Sequence, residues 1–298
     1  MKFAGIIAEY DPFHNGHAWQ LAQAKALGAE RVAVAMSCSL VQRGALPLLP
    51  EAVRTRSALT CGADLVFALP APCACAGAEA FARAGVALLA AAGCDGLVFG
   101  AETPDAALLM EAAELLDSDS YRAALKAQLA GGARSFAAAR QAAAAKLASD
   151  ERVAALLDKP NNNLAVEYCR AIRSLAPRME AYPLPRQGAN HGEALHSAHG
   201  QFASASALRK LWAEGGADAV APYVPEAVFP LYQAAYAAGQ YTDFSAAGRC
   251  ELALLRSACR GKAPFADIRG VSEGLEHRLE SAVRTSTTYD ELLDALTT

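Results

Sequence analysis

Apolar residues fall in short runs separated by longer stretches that alternate apolar and polar positions at helical spacing, and this rhythm predicts strands and helices in turn. Residues 3–8 are apolar or small throughout, as expected of a strand buried on both faces of a parallel sheet, and Asp11-Pro12 ends the run. A helix is expected over 18–27, with Trp19, Ala22 and Ala26 near one face. Further strands are predicted at 31–36, 64–69 and 95–99, with helices at 51–61 and 78–92. Such an order gives an α/β fold, a doubly wound parallel sheet of Rossmann-like type. Its first strand is central and the following loop lies at the switch point, where such sheets bind ligands.

After residue 105 the rhythm becomes helical. Alanine-rich helices are expected over 108–116, 121–129 and 133–147, divided by Asp117-Ser118-Asp119 and Gly131-Gly132, so 105–157 reads as a helical insertion in a domain spanning 1–216. Asn161 to Asn163 stand ahead of a helix at 164–174, where asparagine suits a cap, and a fifth strand follows at 178–184. Residues 217–298 are expected to form a helical C-terminal region, broken at Pro222, Pro225, Pro230 and Gly239.

Composition narrows the class without naming a function. A chain of 298 residues with 53% hydrophobic and 19% charged residues can bury a large core and is not disordered. Net charge is −4, and from Ala203 onward nine Lys or Arg stand against twelve Asp or Glu, so a nucleic-acid partner needs a local patch. No run has the length of a membrane span and the first residues do not make a signal peptide, so the cytoplasm is expected. The eight cysteines lack paired C-x-x-C spacing and read as reduced, structural residues. Neither Cys73-x-Cys75 nor the group His191, His196 and His199 with Glu193 has the ligand spacing of a metal site.

The chemistry concentrates in Glu9-Tyr10-Asp11-Pro12-Phe13-His14-Asn15-Gly16-His17, directly after the first strand. Two imidazoles beside a helix N-terminus can donate to phosphate oxygens where backbone N–H groups already point. Gly100 ends the fourth strand and allows close approach of a ligand, and Arg186 ends the fifth with a fork suited to phosphate or ribose. Ser204, Ser206 and Arg209 open an amphipathic helix and offer hydroxyls and charge for a polyphosphate, although serines there are also ordinary caps.

His14-x-x-His17 after a first strand resembles the signature of the HIGH-type nucleotidyltransferases. The longer string from Glu9 to His17 is similar to that of the tRNA(Met) cytidine acetate ligases, with Asp11 where that family usually has asparagine. Met36, Ser37, Gln42, Arg43 and Gly44 match a second family string in which Cys38 replaces a glycine. Should that glycine need positive φ, Cys38 would be strained or the loop would run differently. Phe99-Gly100-Ala101-Glu102, Lys159-Pro160-Asn161-Asn162, Ser204-x-Ser206-x-x-Arg209 and Glu273-Gly274-Leu275-Glu276-His277-Arg278 resemble further strings in the same order. The family commonly has Tyr-His after the arginine that Arg186 matches, a pair without a clear match here.

The resemblance implies that His14, His17 and Arg209 act in catalysis. It implies that Ile7, Ala8, Glu9, Tyr10, Gly16, Gly100, Asn161, Asn162, Arg186, Ser204 and Ser206 bind ATP, with Mg²⁺ accompanying it. The implied reaction is formation of acetyl-adenylate from ATP and acetate, followed by acetylation of the wobble cytidine of elongator tRNA(Met). This chain ends at Thr298, where the family normally continues through a basic helical segment, so tRNA contacts expected there have no counterpart. Adenylation of another small acceptor, or ATP binding without turnover, remain the alternatives.

Overall fold

A computed structural model describes residues 1–41, 44–132, 135–186, 196–197, 200–260, 265–268, 271 and 274–296. Gln42, Arg43, His191, Glu193, His199 and Glu273 lie outside the described residues, as does the His196 side chain. The chain divides into two compact units, Met1–Tyr241 and Thr242–Thr298.

The first unit holds β1 (Phe3–Ala8), α1 (Asn15–Ala26), β2 (Arg31–Ser37), α2 (Glu51–Thr60), β3 (Leu65–Leu69), α3 (Ala71–Ala74), α4 (Ala78–Ala91) and β4 (Gly96–Ala101). Four helices then run as α5 (Ala106–Asp117), α6 (Asp119–Ala130), α7 (Phe136–Leu147) and α8 (Glu151–Leu156). It continues with α9 (Pro160–Leu175), β5 (Glu180–Pro185), a short antiparallel pair β6 (His196–Ser197) and β7 (Gly200–Gln201), α10 (Ala205–Ala219), a 3-10 turn at Ala221–Tyr223 and α11 (Phe229–Ala237). Residues 217–241, which the sequence reading assigns to a C-terminal region, are thus part of the first unit.

The five long strands pair in parallel in the order β3-β2-β1-β4-β5, so β1 is central as the sequence pattern predicts. Alternation along β2 divides the core: Val32, Val34 and Met36 join one buried cluster with α1, α2, α10 and α11, while Ala33 and Ala35 join the other with α4, α5 and α9. Small residues on the second face let α4 ride close. A Cβ at Gly85 would stand 2.5 Å from Ile7 Cδ1 on β1, so any side chain there would require Ile7 or α4 to shift.

Two helix starts differ from expectation. The first begins at Asn15, not 18, and buries Leu21 and Ala24, leaving Ala22 and Ala26 exposed. The ninth begins at Pro160, which puts Asn161 and Asn162 inside the first turn, and Lys159 at the N-cap makes no side-chain capping bond. Proline suits that first position because its missing N–H would have no helical partner.

The second unit contains α12 (Phe244–Ala258), α13 (Leu275–Thr285) and α14 (Tyr289–Leu296) around Leu252, Cys259, Phe265, Ala282, Val283 and Leu292. Arg256 Nη2 donates to Ser286 O at 2.5 Å and Arg284 Nη2 to Cys259 O at 2.9 Å, so its helix ends are closed by arginines rather than by its small core alone. Gly274, at φ 89°, caps α13 in a conformation that a side chain would strain.

Candidate functional site

The site begins with how α1 is capped. His14 Nδ1 accepts from Gly16 N at 3.0 Å and His17 Nδ1 accepts from His14 N at 3.3 Å, a reciprocal box built from two imidazoles. An acceptor nitrogen carries no proton, so in the neutral rings the proton sits on Nε2, and each ring keeps one N–H to offer a ligand. The rings stack with centroids 3.8 Å apart and planes 24° apart. Burial, followed by the nearby Arg186 charge, pushes His14 down to about 3. Burial, then His14 and Arg186, hold His17 well below its ordinary value, so both rings are neutral donors near pH 7.

Gly16 makes this arrangement possible. A Cβ there would lie 2.9 Å from His14 Cε1 and 3.0 Å from its Nδ1, inside the ring's own space. Tyr10 and Phe13 pack against His17, with Tyr10 edge-on to it at 4.8 Å between centroids. Tyr10 is buried, its hydroxyl has no hydrogen-bond partner, and at φ 50° it is the one non-glycine residue with positive φ among the described residues. Its side chain therefore packs against His17, and only its backbone borders the strand end. Ile7, Ala8 and Glu9 lie at that end, half-buried. Cys38, where the resemblance leaves either strain or a different loop course, has no positive φ, and its thiol donates to Met36 O at 3.2 Å.

Arg186, just beyond β5, donates through Nη1 to Asn161 Oδ1 at 2.6 Å. Asn161 is in turn held by Glu102, whose Oε1 accepts from Asn161 Nδ2 at 2.6 Å and whose Oε2 accepts from Asn162 N at 2.7 Å. The Asn162 side chain accepts from Thr103 N at 2.9 Å and donates to Thr103 Oγ1 at 3.1 Å, which turns it inward. A Cβ on Gly100 would meet Arg186 Cγ at 3.3 Å, so glycine leaves room for the arginine stem. Arg186, Asn161 and the start of α9 are thus one connected group, and the Arg186 charge helps to lower both histidines.

The start of α10 is tied to the same loop. Ser204 caps it by accepting from Ala207 N at 3.2 Å, and its hydroxyl lies 3.1 Å from that of Ser206. Asn15, buried in the first turn of α1, donates to Gln201 O at 2.9 Å and Pro222 O at 3.2 Å, so the segments flanking α10 are fastened to α1. Arg209 reaches Asp11, and Tyr232 donates to Phe13 O at 2.7 Å. The expected residues therefore fall in two connected groups at the carboxyl edge of the sheet, α1 with α10 and α9 with the ends of β4 and β5.

Sequence reasoning missed three organising residues. Arg54 is fully buried and donates to Leu49 O at 3.0 Å, to Glu9 O and Ser37 O at 2.7 Å each, and to Cys38 O, which fastens the ends of β1 and β2 together. Asn15 lies between two conspicuous histidines, and its partners, Gln201 O and Pro222 O, are specified only by the fold. Glu102 was visible at the end of a strand, but its role depends on a helix 59 residues away. Among the described residues no group of three or more His, Cys, Asp or Glu could hold a metal, and no helix is long and apolar enough to cross a membrane.

Comparison with known proteins places this geometry. The family described as HIGH Nucleotidyl Transferase matches residues 1–298. The tRNA(Met) cytidine acetate ligase of Syntrophotalea carbinolica is 36% identical over 99% of this chain and 70% of its own length. That of Acetivibrio thermocellus is 33% identical over 100% of this chain and 73% of its own. The crystal structure of Thermotoga maritima TmcAL bound with alpha-thio ATP superposes with a TM-score of 0.89 at 29% identity, covering 100% of this chain and 71% of that one. Its apo form gives 0.91 at 30% identity, with the same coverage. The chain belongs to the HIGH nucleotidyl transferases and, among them, to the tRNA(Met) cytidine acetate ligase family.

Proposed function

We propose that this protein uses ATP to activate acetate as acetyl-adenylate and transfers the acetyl group to N4 of the wobble cytidine in elongator tRNA(Met). The observation that carries the reading is the pair of stacked imidazoles at the start of α1, each accepting a backbone N–H through Nδ1. Family membership and the ATP analogue bound by a structurally similar relative support the choice of nucleotide.

A carboxylate oxygen of acetate attacks the α-phosphorus, the bond from that phosphorus to the bridging oxygen breaks, and pyrophosphate leaves. His14 and His17 donate through Nε2–H to oxygens of the phosphoryl group as charge shifts across it, with Nδ1 of each ring already committed as an acceptor. Backbone N–H groups of the first turn of α1 add partial positive charge. Ser204, Ser206 and Arg209 hold the departing β- and γ-phosphates, while Arg186 and Asn161 hold the nucleotide on the other side. In the second step the cytidine N4 attacks the acetyl carbonyl carbon, AMP leaves with the bonding electrons, and N4 loses a proton.

Mg²⁺ suits this donor set only as a partner of ATP. Asp11 and Glu102 are already engaged by backbone and side-chain donors, so phosphate oxygens and water would supply most of its ligands. Its contribution when bound is to neutralise phosphate charge. The reaction belongs in the cytoplasm, where charged ATP and tRNA meet.

Acetate-dependent exchange of labelled pyrophosphate into ATP, with and without elongator tRNA(Met), tests the proposal. Exchange with acetate and acetyl transfer to the tRNA are expected. ATP binding without exchange on acetate would overturn it.

A further inference from the structure

We infer that Asp11 is the positioning residue for Arg209, fixing one amino group of the guanidinium so that its remaining edge meets the nucleotide's polyphosphate already oriented; this rests on the nucleotide site proposed above. Arg209 Nη1 donates both to Asp11 O at 2.7 Å and to Asp11 Oδ2 at 3.1 Å, so a single amino group is gripped by two oxygens of one residue. Asp11 cannot follow a moving arginine. It is 4% exposed, and its other oxygen accepts from Leu48 N at 2.6 Å. The Arg209 side chain keeps 33% of its surface, and among the described residues its Nε and Nη2 make no hydrogen bond.

A guanidinium donates through two edges, and the bidentate edge is the one that matches paired phosphate oxygens. Holding Nη1 leaves the Nε and Nη2 edge available. An arginine free on a helix surface loses rotamer freedom when it binds, whereas one already clamped does not. A buried negative charge beside a polyphosphate site weakens the attraction there, so for the ligand the carboxylate, which also faces the Arg54 guanidinium, brings no electrostatic gain. Its benefit is geometric. The contact joins residues 198 positions apart, so it also brings the second turn of α10 against the loop that leads to His14.

A double-mutant cycle on ATP affinity, read by calorimetry on the full chain, tests the clamp. Arg209→Ala is expected to weaken ATP binding about tenfold or more when Asp11 is present, and less than about threefold in an Asp11→Ala background, because an unclamped arginine contributes little. Asp11→Asn preserves volume and gives the same ordering with a smaller coupling should Asp11→Ala fail to fold. Equal losses in both backgrounds would show that Asp11 serves only the Leu48 loop, and a larger loss without Asp11 would show that it restrains Arg209; either result overturns the inference. Wild-type protein that binds ATP but performs no acetate-dependent pyrophosphate exchange overturns the acetate reading while leaving the cycle readable. Wild-type protein that does not bind ATP overturns both.

Discussion

Two helices begin at the same edge of the sheet and treat their free N–H groups in opposite ways. At α9 the chain supplies its own anion: the Glu102 carboxylate accepts from the amides of Asn161 and Asn162 and from the Asn161 side chain. At α1 the side-chain acceptors are uncharged ring nitrogens, and each ring retains its Nε2–H. Both starts satisfy the backbone. Only α1 does so without spending its attraction for negative charge, so a helix N-terminus binds phosphate according to what caps it.

The sharpest break in this comparison removes a donor from α1. His17→Ala is expected to lower acetate-dependent pyrophosphate exchange by about a thousandfold, the upper range for losing one preorganised donor, while circular dichroism and thermal unfolding show the fold retained. Glu102→Gln attacks the other start. Losing the charge that receives Asn161 and Asn162 should destabilise the protein by about 1–2 kcal/mol in urea titrations, with exchange reduced by about tenfold or less as Asn161 and Arg186 loosen.

Proton linkage sharpens the contrast further. His14 and His17 have folded-state values below the unfolded value, so from the ordinary histidine range of about 6.5 down to about 3 for His14 the unfolded chain binds more protons. Stability therefore falls as pH drops below about 6.5, by up to about 1.4 kcal/mol per pH unit for each such histidine. Urea unfolding from pH 7.5 to 5 should show that slope, and His14→Asn should flatten it. Exchange activity should show no loss centred on an ordinary histidine titration. The smallest effect belongs to α10: Ser204→Ala loses a capping bond to Ala207 N and should cost about 1 kcal/mol, measured by thermal unfolding.

Local pattern made the architecture legible where each element depends on its own residues. The span of β1 and its central place follow from an apolar run at the head of alternating segments, and Ser204 is an ordinary cap at its expected place. Histidine is not an ordinary cap, so nothing local marked Asn15 as the start of α1. Asn161 and Asn162 resembled caps, yet the group that closes α9 comes from the end of β4. Arg54 was hidden for a different reason. A buried guanidinium satisfied by backbone carbonyls from several strand ends leaves no spacing to read, because its partners are specified only by the fold.

The box at the start of α1 closes within three residues, whereas the Arg186 contact with Asn161 and the grip of Asp11 on Arg209 wait for distant segments. A chain leaving the ribosome from its N-terminus can thus form the histidine-capped turn early, with β1 and β2 pairing soon after. The contact between Asp11 and Arg209 forms only after α10 has emerged. On the proposed nucleotide site, nascent chains shorter than this carry the capped turn without Arg209, and protection of stalled chains by ATP should begin once Arg209 has cleared the exit tunnel.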